Sequence, residues 1–265
     1  MSIARISDTF AKCTAKQQST FVAYMMAGDP DIAASRELLL GLPGAGADIV
    51  ELGMPFSDPV AEGPTIQLAA ERALIAKTKM ADVLKLATEF RQKHPDTPLI
   101  LMGYANPIHF MGWDKFAEAA AKSGVDGVIV VDLPPEEAEP LSLALTDNDI
   151  ALIRLIAPTT KGARLEQVLR GVSGFVYYVS ITGITGAAVP QSDQVAEAVR
   201  SIRKISNLPV AVGFGVRTPQ TAREIAKAAD GVVVGSAIVA AMAEDGVKAA
   251  LAITATLADA THGKV

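Results

Sequence analysis

Gly127-Val128-Ile129-Val130-Val131 is apolar throughout, and the chain after it turns Ala- and Glu-rich with helical spacing. β-Branched residues suit a pleated strand. A strand without a polar face must be covered on both sides, as parallel strands are. Working outward, we read further strands at 151–156, 175–179, 210–212 and 231–234 on one side, and at 99–102, 47–52 and 21–25 on the other. Each is followed by an Ala-, Glu- and Lys-rich stretch of helical period. Such alternation fits either a closed barrel or a doubly wound sheet. Eight units in 265 residues favour a single (β/α)8 barrel domain spanning residues 1–265.

Ile3, Ile6, Phe10 and Cys13 fall at helical spacing ahead of the first strand. They predict an extra N-terminal helix whose apolar face covers the bottom of the barrel. Cys13 then reads as core packing rather than a reactive thiol. As the only cysteine, it allows neither an internal disulfide nor a Cys-cluster zinc site. The net charge of −5 comes from mixed acids and bases, with no basic stripe for nucleic acid and no polybasic membrane patch. The N-terminus lacks the apolar core of a signal peptide, and no run of about 20 apolar residues could span a bilayer. A cytoplasmic location is expected.

Two loops stand out. Residues 53–64 form a long Gly/Pro-rich stretch after the second strand, and residues 180–191 follow the sixth. Long βα loops of a barrel lie on the face that carries chemistry. Ahead of the first lies Ala47-Asp48-Ile49-Val50-Glu51-Leu52-Gly53, which sets a glutamate inside an apolar strand. Desolvation there raises a carboxyl pKa toward neutrality and suits Glu51 to carry protons; the alternative is a Glu51 paired with a Lys or Arg in the barrel mouth. The loop itself adds Asp58 and Glu62. Asp58 reads as a turn former or a partner contact. The spacing of Glu62 decides nothing between a functional and a solvated side chain.

Barrels commonly hold phosphate on backbone N–H groups after strands 7 and 8. Gly213-Phe214-Gly215, Gly235-Ser236-Ala237-Ile238 and Gly183-Ile184-Thr185-Gly186 occupy such places. Missing β-carbons let the backbone approach an anion, and the three segments carry no Lys or Arg, so binding would rest on backbone dipoles.

Several segments together resemble the tryptophan synthase α subunit family: Gly28-Asp29-Pro30, Glu51-Leu52-Gly53-Met54-Pro55-Phe56-Ser57-Asp58-Pro59, Gly63-Pro64-Thr65-Ile66-Gln67, Met102-Gly103-Tyr104-Ala105-Asn106-Pro107, Asp132-Leu133-Pro134, Tyr177-Tyr178-Val179-Ser180 and Gly213-Phe214-Gly215-Val216. The resemblance runs along essentially the whole chain in order. It implies retro-aldol cleavage of indole-3-glycerol phosphate to indole and glyceraldehyde 3-phosphate, in tryptophan biosynthesis. By the same resemblance Glu51 is the general acid/base and Glu62 accepts a hydrogen bond from the indole N–H, stabilising charge on the ring. Most family members carry Asp where this chain has Glu62.

The resemblance also puts Tyr24, Tyr104, Asp132 and Tyr177 around the indole and glycerol, with barrel packing as the alternative for Tyr24 and Tyr104. Tyr177 could hold Glu51 or the substrate through its hydroxyl. Gly186, Gly213, Phe214, Gly215, Gly235 and Ser236 would meet the phosphate, and Thr185 would close its loop over residues 53–64. The implied partner is a β subunit in an αββα assembly, contacted through residues 55–59 and the Asn106-Pro107 turn. Pyridoxal phosphate belongs to that partner, and no cofactor is expected here. His94, His109 and His262 lack metal-ligand spacing, and no metal is expected. The competing readings are another phosphate-binding barrel enzyme of the same pathway, a stand-alone indole-releasing lyase, and a barrel that only activates its partner.

Overall fold

In the structure, a computed structural model, residues 2–179, 192–213 and 215–263 are described. Eight strands, β1 (Thr20–Met26), β2 (Ile49–Gly53), β3 (Leu99–Gly103), β4 (Gly127–Val130), β5 (Ala151–Ile156), β6 (Val176–Val179), β7 (Val210–Gly213) and β8 (Gly231–Val234), pair in parallel and in sequence order, with β8 returning to β1. The barrel is closed, as the eightfold alternation predicts. The helices around it are α1 (Ser2–Ala15), α2 (Ile32–Gly41), α3 (Pro64–Ile75), α4 (Met80–Lys93), α5 (Ala105–Met111), α6 (Trp113–Lys122), α7 (Glu139–Asp147), α8 (Ala163–Val168), α9 (Ser192–Ser206), α10 (Pro219–Ala226) and α11 (Ser236–Thr261), the last bent at Gly246.

The period of two along each strand separates two cores. Val50, Leu52, Leu99, Leu101, Val210 and Val212 face outward into the layer under the helices. Val22, Ile49, Ile100, Ile129, Ile153 and Phe175 face inward and fill the barrel. Ile6 and Phe10 of α1 belong to this inner cluster. A β-carbon on Gly127 or Gly174 would meet Ile6, and one on Gly231 would meet Phe10. The N-terminal helix therefore plugs the floor of the barrel, and Cys13 beside it is buried, with burial pushing its thiol up to about 11. The thiolate needed for reactivity is suppressed there.

Aspartates fasten the floor. Asp48, Asp126 and Asp230 each precede a strand and accept the backbone N–H of Phe21, Leu99 and Val210 respectively, all at 2.8 Å. Asp126, fully buried, also binds Arg5 of α1 and Arg91 of α4, the latter at 2.5 Å. Removing one partner of a buried ion pair leaves the others desolvated and uncompensated. Asp126→Ala is accordingly expected to cost about 3–5 kcal/mol. That cost should appear as a lower urea midpoint at unchanged slope; a shift below about 1 kcal/mol would mean the guanidiniums find water instead.

Candidate active site

Glu51 sits in the middle of β2, in register with Tyr24 of β1, and points into the barrel above the apolar inner layer. It is fully buried, and among the described residues neither carboxylate oxygen has a hydrogen-bond partner. The pairing with Lys or Arg left open by the sequence is thus absent among the described residues. Desolvation, and next the carboxylate of Glu62, push its pKa up to about 8. A carboxyl in that state carries a proton at neutral pH and can give it up.

Glu62 ends the loop before α3 and is half-buried. Burial raises its pKa to about 7. Its charge is felt by Glu51, Tyr24, Tyr104 and Tyr177, so its side chain faces the barrel mouth rather than solvent. The spacing could not show this, because a loop residue's direction depends on what the loop packs against. Here Tyr104, just past β3, fixes it: its hydroxyl accepts the Ala61 N–H at 3.2 Å, and its ring lies 5.3 Å from Phe56. Burial first, and then Glu62 and Asp132, raise the Tyr104 phenol to about 12, so it stays neutral. Asp58 is exposed and accepts the Ser57 hydroxyl at 2.6 Å.

Tyr24 and Tyr177 are buried tyrosines whose rings rise from β1 and β6, and two glycines make room for them. A β-carbon on Gly53 would lie 2.3 Å from the Tyr24 hydroxyl, and one on Gly213 would lie 2.3 Å from that of Tyr177. Gly213, marked from sequence for phosphate, therefore also serves as the slot for Tyr177. Burial raises both phenols well above their ordinary range, with Glu62 and Glu51 adding to the effect. Tyr177 does not hydrogen-bond Glu51, since both oxygens of that carboxylate lack a partner.

Asp132 is exposed beyond β4, where it accepts the Ala105 N–H at 2.8 Å and ties the loop after β4 to the start of α5. Gly235 opens α11 without a side-chain cap, and Ser236 is its first residue. The leading N–H groups of a helix lack intrahelical acceptors, so this end can receive an anion. Gly215 follows β7 at φ +82°, a conformation that favours glycine. Thr185, Gly186 and Phe214 lie outside the described residues, as does the whole stretch 180–191. Among the described residues no group of three or more His, Cys, Asp or Glu could hold a metal ion. No described helix is long and apolar enough to cross a membrane. His262 pairs with Asp48 at 2.7 Å on the floor, far in function from the mouth.

A closed parallel barrel with a desolvated carboxylate pair under its C-terminal rim, beside an uncapped helix start, defines a (β/α)8-barrel enzyme of the acid–base kind. The family model for "Tryptophan synthase alpha chain" matches residues 10–263. The tryptophan synthase alpha chain of Caulobacter vibrioides (strain NA1000 / CB15N) is 56% identical over 239 residues, covering 90% of this chain and 87% of its own. That of Zymomonas mobilis is 52% identical, covering 89% and 86%. Among solved structures, the alpha chain of Legionella pneumophila superposes at TM-score 0.88 with 38% identity and 97% coverage of both chains. A chain of Mycobacterium tuberculosis tryptophan synthase superposes at TM-score 0.91 with 36% identity, covering 97% of this chain and 98% of its own. The chain belongs to the tryptophan synthase alpha chain family.

Proposed function

We propose that Glu51 is the proton carrier with which this chain cleaves indole-3-glycerol phosphate. The reaction is that of its family: a carbon–carbon lyase step in tryptophan biosynthesis, giving indole and glyceraldehyde 3-phosphate. The observation that carries the assignment is a fully buried, unpaired carboxyl raised to about 8 at the barrel mouth. At neutral pH Glu51 starts protonated and donates to the indole ring carbon that will lose its side chain. The carboxylate so formed then accepts the proton of the adjacent glycerol hydroxyl. The carbon–carbon bond breaks, its electron pair returns to the ring, and the hydroxyl carbon leaves as the aldehyde. Glu51 ends protonated, ready for the next turn.

Glu62, as carboxylate, accepts from the indole N–H and offsets the positive charge that ring protonation creates. Its extra methylene relative to Asp is accommodated by the loop that Tyr104 and Phe56 hold. Tyr24, Tyr104 and Tyr177 line the aromatic and glycerol pocket, with Asp132 at its rim. Gly213, Gly215, Gly235 and Ser236 receive the phosphate through backbone N–H groups, joined by Gly186 and Phe214, and Thr185 closes the loop after β6.

The partner reading also has support on the surface. Phe110 of α5 is 92% exposed and Val60 of the loop after β2 is 80% exposed, on the elements expected to face a β subunit. A partner seated over these two elements would cover both side chains. The αββα assembly, with pyridoxal phosphate in the β subunit only and the chain in the cytoplasm, completes the proposal.

The test is indole release from indole-3-glycerol phosphate across pH, with and without a tryptophan synthase β subunit. Glu62 must be ionised and Glu51 protonated, so a bell with limbs near 7 and 8 is expected. Slow release that rises sharply with the β subunit supports partnership. Equal rates with and without it favour the stand-alone lyase, and no release in either case, with β activity still stimulated, favours a purely activating barrel.

A further inference from the structure

Arg72, in the last turn of α3, reaches the loop after β1 and grips Asp29 with two hydrogen bonds, Nε to Oδ1 at 2.6 Å and Nη2 to Oδ2 at 2.8 Å. Asp29 is 3% exposed, and the Arg72 side chain 32%. A guanidinium fork on a carboxylate fixes direction as well as distance. Neither residue belongs to the site described above.

The helix needs such a fixing point. The buried face of α3 is Ile66, Ala69, Ala70 and Ala73, three of them bare methyl groups. Each bare methyl buries little apolar area, so packing of this face holds the helix less firmly than a face of large side chains would. Gly63 precedes it without a side-chain cap. Asp29, by contrast, stands three residues beyond β1, the strand that sets Tyr24 level with Glu51. Its loop is pinned by the Gly28 N–H, which donates to the Ser35 hydroxyl at 2.9 Å. The ion pair thus joins a rigid wall of the barrel to α3. That helix begins two residues after Glu62, and its Gln67 donates to the Glu62 carbonyl at 2.9 Å. A slide of α3 carries Glu62 with it.

We propose that Asp29 and Arg72 are a positioning pair that sets the height of the Glu62 carboxylate over Glu51. This rests on the reading of Glu62 as a working member of the site. Among the described residues, the groups facing the two carboxylates are Tyr24 from β1, Tyr104 from the end of β3 and Tyr177 from β6, with Asp132 acting on Tyr104. Phenols that stay neutral change little when Glu62 moves, so a displaced Glu62 shows chiefly in Glu51. With less negative charge nearby, Glu51 ionises at lower pH.

The experiment is steady-state cleavage from about pH 6 to about 10 with saturating tryptophan synthase β subunit, together with thermal unfolding. The variants are Arg72→Met, Asp29→Asn, Arg72→Lys and, as a control, Glu62→Gln. Arg72→Met and Asp29→Asn are expected to lower kcat by roughly tenfold or more with KM nearly unchanged, and to move the alkaline limb to lower pH. Arg72→Lys keeps the charge and one hydrogen bond and should recover part of both. A lower Tm with native kcat and a native alkaline limb in Arg72→Met would make the pair structural only and overturn the proposal. Should Arg72→Met not fold, the same outcome in Asp29→Asn overturns it. If Glu62→Gln itself keeps native kcat and alkaline limb, the reading of Glu62 fails instead, whatever the Arg72 variants show.

Discussion

Glu51→Gln is expected to lower indole release by about 10²–10⁴-fold, because the amide neither donates nor accepts the two protons that the bond cleavage moves. The substitution keeps the side-chain volume, so the barrel should persist. It should also change stability in a way that only a buried acid explains. The folded pKa of Glu51 is about 8 against 4.5 for the free group. A raised carboxyl binds its proton more tightly in the folded state, so the stability it confers is full below about 4.5 and is lost as pH rises through about 8. The Gln variant lacks this loss. It should therefore be more stable than the wild type at alkaline pH, by an amount on the order of a few kcal/mol, and the difference should shrink toward acid pH. Urea titrations at several pH values, run beside the cleavage assay, separate the two effects. A variant that keeps its cleavage rate would remove Glu51 from the chemistry. One that loses the rate but shows no pH-dependent gain would mean that water reaches the carboxyl in the folded protein.

Gly213→Ala should produce the next largest effect on the cleavage rate. The added methyl would stand 2.3 Å from the Tyr177 hydroxyl and 2.8 Å from the ring carbon bearing it. A buried ring has no room to retreat, so either β7 or Tyr177 shifts. Overpacking of this kind costs about 1–3 kcal/mol. The displaced ring stands on β6, facing Glu51 across the barrel, and an error of about 1 Å in a positioned group can cost roughly 10²-fold in rate. Tyr177→Phe removes the closest atom of the clash, so the double variant Gly213→Ala/Tyr177→Phe should regain part of the lost stability. Crystallography or thermal unfolding of the three proteins checks this directly. A single variant as stable and active as the wild type would show that the strand end yields without cost.

The barrel was legible because its determinant is periodic. Eight apolar runs of parallel-strand character each predicted a strand, and every strand in the structure ends within two residues of its predicted bounds. The helix plug was legible for the same reason, since Ile6, Phe10 and Cys13 repeat at the spacing that puts them on one face. Glu51 could be singled out because a carboxylate inside an apolar strand has few places to go. Loop residues carry no such period. That Glu62 turns into the mouth depends on Tyr104 holding Ala61 and packing against Phe56, contacts between segments more than 40 residues apart in sequence that meet because β2 and β3 pair side by side. The slots at Gly53 and Gly213, and the grip of Arg72 on Asp29, are likewise distances across the fold.

By itself, then, the sequence determined the architecture, the floor of the barrel and the strand that bears the acid, because local periodicity and solvation preferences are written residue by residue. Tertiary structure alone decided that Glu51 has no counter-charge among the described residues, that Glu62 faces it, and that two tyrosines stand where two glycines leave room. Desolvation and charge coupling depend on separation in space, and the pairing of strands and packing of loops is what brings those residues together.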